Sequence, residues 1–125
     1  MARTVLVVDD EESIRSVLGR MFERRGWHVV HAATFAEAEA RIFVAHEGPS
    51  YDLILCDLNL DGSSGLTLYQ RIASEAPVLA GRFVLSTGDA TDVVVPCPIL
   101  EKPFTMQELL GLAEQIAADG RTQAA

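Results

Sequence analysis

Lysine is nearly absent from this chain: nine of its ten basic residues are arginine, and the single lysine, Lys102, stands directly before Pro103 and Phe104. Eighteen acids outnumber the bases and leave a formal net charge of -8. That balance excludes a nucleic-acid surface, which needs clustered Lys or Arg to displace the counterions of a phosphate backbone. Cysteine is scarce too. Cys56 lies in an apolar run that reads as a buried strand and Cys97 lies between two prolines, so no disulfide framework is expected. Long hydrophobic runs are missing: none approaches the roughly 18 residues that span a bilayer. Met1-Ala2-Arg3 leads straight into the first strand with no signal-peptide region, and the expectation is a soluble cytoplasmic protein with no membrane partner. Internal repeats and low-complexity linkers are also lacking.

What is present fits one core. At 125 residues and 49% hydrophobic, the chain is long enough for one domain and too short for two ordinary ones; a domain over 1–119 with a disordered tail over 120–125 is expected. Apolar runs alternate with helical periodicity along the whole length, the pattern of a parallel sheet covered by helices on both faces. The strands fall at Thr4–Val8, His28–His31, Leu53–Cys56, Arg82–Ser86 and Ile99–Glu101. Between them, Ile14, Val17, Leu18, Met21 and Phe22 mark one inward helical stripe, ending near Gly26. Phe35, Ala38 and Ile42 mark a second, opened by a Thr34/Glu37 capping box and closed at Gly48-Pro49. Leu66, Tyr69, Ile72 and Ala73 mark a third. The last stripe is Met106, Leu109, Leu110, Ala113, Ile116 and Ala117, opened by Thr105/Glu108. Trp27 is expected to cover the core edge where the first helix meets the second strand.

One connection is anomalous. Gly88 to Pro98 leaves scarcely any room for a parallel crossover, which takes about a dozen residues or more including its helix, and a glycine, three successive valines and two prolines oppose a helix there. A helix-poor crossover is expected there.

The chemistry gathers at strand ends. Asp9 and Asp10 follow the first strand, Asp57 the third, Thr87 the fourth and Lys102 the fifth, and open parallel sheets bind ligands beyond those carboxyl ends. Crowded carboxylates need a cation to offset them, and an all-oxygen site suits Mg²⁺. Simpler readings exist for each piece: Asp9-Asp10 could cap a helix, and Ser86-Thr87-Gly88 could be a turn. Asp57 to Gly62 begins like a calcium loop, but Leu68 stands where its bidentate glutamate belongs. His28, His31 and His46 have no partner at metal-ligand spacing and read as structural or solvent-facing.

Taken together, Val7-Val8-Asp9-Asp10-Glu11, Leu55-Cys56-Asp57-Leu58-Asn59-Leu60, Leu85-Ser86-Thr87-Gly88 and Glu101-Lys102-Pro103-Phe104 make the chain, from Thr4 to about Ala118, resemble a receiver domain of the two-component response regulators. The resemblance implies a doubly wound, flavodoxin-like α/β fold with a five-stranded parallel sheet in order 2-1-3-4-5, with the family's fourth helix absent or vestigial here. It implies that Asp57 is the phosphoacceptor, served by a sensor histidine kinase or phosphotransfer protein. It places Mg²⁺ on Asp10, Asp57, the Asn59 backbone carbonyl and Asp9, directly or through water. Thr87 and Lys102 would contact the phosphoryl oxygens, and Asn59 and Asp89 would affect hydrolysis. The product would be a phosphoprotein of a phosphorelay, acting on a downstream protein and not turning over external substrate as an enzyme does.

Ile99 departs from the pattern, since receivers carry an aromatic switch residue three positions before the lysine. The uncovered surface beside the shortened crossover is expected to be met by a partner or a second copy. Two alternatives remain: a phosphorylation-independent adaptor with this fold, and an aspartate-dependent phosphatase, which would need an acid where Asn59 stands.

Overall fold

A computed structural model describes residues 3–44, 51–60, 62–88 and 97–124. Five parallel strands, β1 (Thr4–Val8), β2 (His28–Ala32), β3 (Leu53–Asp57), β4 (Phe83–Thr87) and β5 (Ile99–Glu101), form one sheet in spatial order β2-β1-β3-β4-β5. This is the expected order 2-1-3-4-5. Three of the strands show the burial of a sheet covered on both faces: β1, β3 and β4 are buried at every position. Val5, Val7, Leu53, Leu55, Val84 and Leu100 face one layer, while Leu6, Val8, Ile54, Cys56, Phe83 and Leu85 face the other.

Helices α1 (Glu12–Arg24) and α5 (Met106–Ala124) cover the first face, and α2 (Phe35–Glu39) and α3 (Gly65–Glu75) the second. A short α4 (Pro77–Ala80) leads into β4, and α2 runs on as a wider π-turn over Ala40–Val44. Neither was foreseen. Thr34 Oγ1 accepts from Glu37 N at 3.1 Å and Thr105 Oγ1 from Glu108 N at 3.1 Å, so both expected capping threonines cap. Gly26 ends α1 with φ +85°, a conformation that favours glycine. Trp27 then packs edge-on to Phe22, ring centroids 5.2 Å apart, with the Arg3 guanidinium over its ring.

The helical stripes differ from expectation at their margins. Val17 is 65% and Met106 50% exposed, because a helix against a sheet buries a narrow arc and these residues sit at its edge. In α3 the buried stripe is Gly65, Leu68, Tyr69 and Ile72, so Ala73 faces solvent and Leu68 takes its place. Helical backbone continues through 120–124, where a tail was expected. Much of the shortened crossover (89–96), with Asp89, and also His46 and Gly48-Pro49 lie outside the described residues. His28 and His31 are exposed. Both cysteines are free; burial pushes both thiols up, Cys97 to about 11.

Candidate functional site

The carboxyl edge of the sheet holds the predicted residues together. β1 ends at Val8, and the chain turns through Asp9 and Asp10 into α1; β3 delivers Asp57, β4 Thr87, and β5 leads into Lys102. Register makes this automatic. Val8 pairs with Cys56, Asp57 with Ser86 and Thr87 with Glu101, so the residues at or just beyond these ends share one rim.

Carboxylate oxygens of Asp9, Asp10 and Asp57 all lie within 4.8 Å of one another. Lys102 Nζ faces them, 3.2 Å from Asp57 Oδ2 and 3.6 Å from Asp9 Oδ2. Asp57 Oδ1 accepts from Asn59 N at 3.2 Å. Asp9, Asp57 and Thr87 are buried, whereas Asp10 and the Asn59 side chain are exposed. The pocket therefore has a dry floor and a wet mouth.

Asp9 is no helix cap. The residue at the α1 N-cap is Glu11, with no side-chain capping bond, and Asp9 Oδ1 instead accepts from Glu11 N at 2.9 Å. Burial lifts the Asp9 carboxyl above the usual carboxylate range, with Asp57 and Asp10 pushing the same way against Glu11 N–H and Lys102. Burial disfavours the Lys102 ammonium, but Asp57 and Asp9 outweigh it and raise its pKa. Three acids against one ammonium leave an anionic excess. Oxygen-only donors, with Cys56 Sγ turned to the Asp57 carbonyl at 3.3 Å, suit a hard divalent cation. Lying within 4.8 Å of one another, one oxygen from each of the three acids can converge on a single such cation. The residues fit the metal.

A raised carboxyl pKa has a definite sign. The Asp9 contribution to metal-free stability is greatest below the unfolded value of 3.8 and is lost as pH rises through the raised folded value. Asp9→Asn, in chelator, is expected to flatten the pH dependence of the melting temperature from about pH 4 upward and to be more stable than the parent at neutral pH. Thermal melts across pH check this; parallel curves for both proteins would contradict it.

Two contributors were missed from the sequence. Gly65 opens α3 against the back of Asp57: a Cβ there would sit 2.4 Å from the Asp57 carbonyl oxygen. Its only sequence signal is a glycine at a helix start. Arg15 reaches back from α1 to the Asp9 carbonyl, and an arginine in a helix gives no such signal.

An open parallel sheet in order 2-1-3-4-5 with helices on both faces defines the doubly wound, flavodoxin-like class. The family description "Response regulator receiver domain" matches residues 5–114, and the chain belongs to that family, the receiver domains of two-component signalling. It is 32% identical over 93% of its length to the transcriptional regulatory protein AruR of Pseudomonas aeruginosa, of which it spans half. It is 27% identical to the response regulator receiver protein CpdR of Brucella abortus, over 91% of this chain and 96% of that one. Among solved structures, a putative response regulator from Chloroflexus aurantiacus shares 28% identity at TM-score 0.81, covering 94% and 99% of the two chains. The response regulator TrrA of Thermotoga maritima, solved in complex with Mg²⁺ and BeF, shares the fold at TM-score 0.77 with 24% identity over 91% and 98%. No helix among the described residues is long and apolar enough to cross a membrane.

Proposed function

We propose that this receiver accepts a phosphoryl group on Asp57 from a phosphohistidine of a sensor kinase or phosphotransfer protein in the cytoplasm. The observation that carries the proposal is the gathering of Asp9, Asp10 and Asp57 within 4.8 Å, with Lys102 Nζ 3.2 Å from the Asp57 oxygen. An Asp57 carboxylate oxygen attacks phosphorus, the phosphorus–histidine nitrogen bond breaks, and the imidazole leaves with the bonding pair. Asp9, Asp10, Asp57 and the Asn59 carbonyl would hold Mg²⁺, which when bound neutralises charge on the transferring group. Lys102 shifts from the carboxylates to a phosphoryl oxygen and Thr87 donates to another, drawing their loops toward the acceptor. Repeated turnover of an external substrate is not expected.

The donor's approach is suggested by an open apolar groove of about 390 Å³ beside Lys102, lined by Ile14, Val17, Leu18, Pro103 and Phe104. Val17→Asp is expected to slow transfer from a phosphohistidine protein about tenfold, equal to about 1.4 kcal/mol, while leaving a small phosphodonor unaffected. Equal slowing with both donors would remove the groove from the account. The main test is incubation with a small phosphodonor and Mg²⁺, read by intact mass. One phosphoryl group per chain, lost in chelator, is expected; an unlabelled wild type would favour the adaptor alternative.

A further inference from the structure

The turn carrying Asp9 and Asp10 is fastened in an unusual way. Helix α1 has no side-chain N-cap, although a capping side chain is the ordinary device for fixing the entry of a chain into a helix. The Asp9 N–H is tied to Ala32 O at 3.1 Å, and its Oδ1 to Glu11 N at 2.9 Å. Its carbonyl is taken by Arg15: Nη1 donates at 2.5 Å, from one helical turn beyond the N-cap, where Arg15 N itself bonds the Glu11 carbonyl at 3.1 Å. Arg15 is half-buried, and the bond is charge-assisted, the stronger kind.

We infer that Arg15 is a positioning residue for the divalent cation, clamping the Asp9 carbonyl so that the Asp9 and Asp10 carboxylates face Asp57. This rests on the metal reading of the acidic cluster.

The two cations near the cluster then have different tasks. Lys102 touches carboxylate oxygens directly, 3.2 and 3.6 Å away, and so competes with a metal for Asp9 and Asp57. Arg15 binds the main chain of the same loop and leaves the Asp9 carboxylate Oδ2 to the site. Loss of the clamp lets the turn wander, and the cation must then order it on binding. Groups that orient metal ligands from behind typically change affinity 10–100-fold when removed.

The test is Mg²⁺ titration by calorimetry, with melting temperatures in chelator as the second measurement. Wild type, Arg15→Ala, Arg15→Gln, Arg15→Lys and Arg20→Ala are compared; Arg20 is an exposed arginine on the same helix and controls for lost charge. Arg15→Ala and Arg15→Gln are expected to bind Mg²⁺ about tenfold more weakly, with metal-free melting close to wild type. Arg15→Lys should recover part of the loss, and Arg20→Ala should bind nearly as wild type does. Equal affinity in Arg15→Ala and wild type, or the same loss in Arg20→Ala, would overturn the clamp while leaving the metal site standing. A general fall in metal-free melting for every Arg15 variant, matched by no change in affinity, would make Arg15 merely structural. If wild type itself shows no saturable Mg²⁺ binding, the metal reading fails first and takes the clamp with it.

Discussion

Asp57→Asn is expected to abolish labelling by a small phosphodonor, with a loss of at least about a thousandfold, as befits removal of a nucleophile. The amide is nearly the same size and can still accept from Asn59 N, which lies 3.2 Å from Oδ1 in the parent. It cannot attack phosphorus, and it removes one of three charges from the metal cluster. Because the neighbouring packing is unchanged, the variant should melt within about 4 °C of the parent in chelator, the shift that roughly 1 kcal/mol causes in a domain of this size. Asp52→Asn is the matched control. Asp52 precedes β3 at its opposite end, where Oδ2 accepts from Thr4 N at 2.9 Å, so its variant should label fully. Undiminished label on Asp57→Asn would move the acceptor elsewhere and dismantle the mechanism.

Gly65→Ala is expected to lower the melting temperature by roughly 4–12 °C, corresponding to about 1–3 kcal/mol of overpacking. The added methyl would lie 2.4 Å from the Asp57 carbonyl oxygen, 2.9 Å from Leu85 Cδ2 and 3.1 Å from Cys56 Sγ. The nearest of these is strand backbone in the middle of the sheet and cannot swing aside. Alanine's advantage over glycine belongs to a helix interior and offsets little of this at Gly65, the first residue of α3. Relief by shifting α3 would disturb the Gly65 N to Leu58 O bond, 2.7 Å long, and with it the loop holding Asn59, so labelling should slow as well. Gly111→Ala supplies the contrast: that glycine is exposed on α5 with open space for a Cβ. The same substitution there should stabilise by about 0.5–1 kcal/mol. Melting curves for the pair decide the matter, and a neutral Gly65→Ala would mean that the α3–β3 approach is looser than described.

The strand set was legible because each strand announces itself locally. Thr4–Val8 and Ile99–Glu101 have the bounds expected from sequence, and β3 and β4 differ only at an end residue or two. The capping threonines were legible for the same reason, since Thr34 and Thr105 act on residues three positions away. Val17, Ala73 and Met106 were misplaced because periodicity finds a stripe, while the sheet decides how wide a stripe it covers. Gly65 and Arg15 were missed because their partners, the Asp57 and Asp9 carbonyls, are main-chain atoms that carry no side-chain signature.

By itself, the order of residues determined that acids and one lysine would stand at the ends of buried parallel strands, because alternation and hydrophobicity are local properties of the chain. Only the tertiary structure decided that Asp9, Asp10 and Asp57 converge within 4.8 Å and that Lys102 reaches two of them. That outcome depends on which strands become neighbours and in what register, and those are set by packing across the whole sheet.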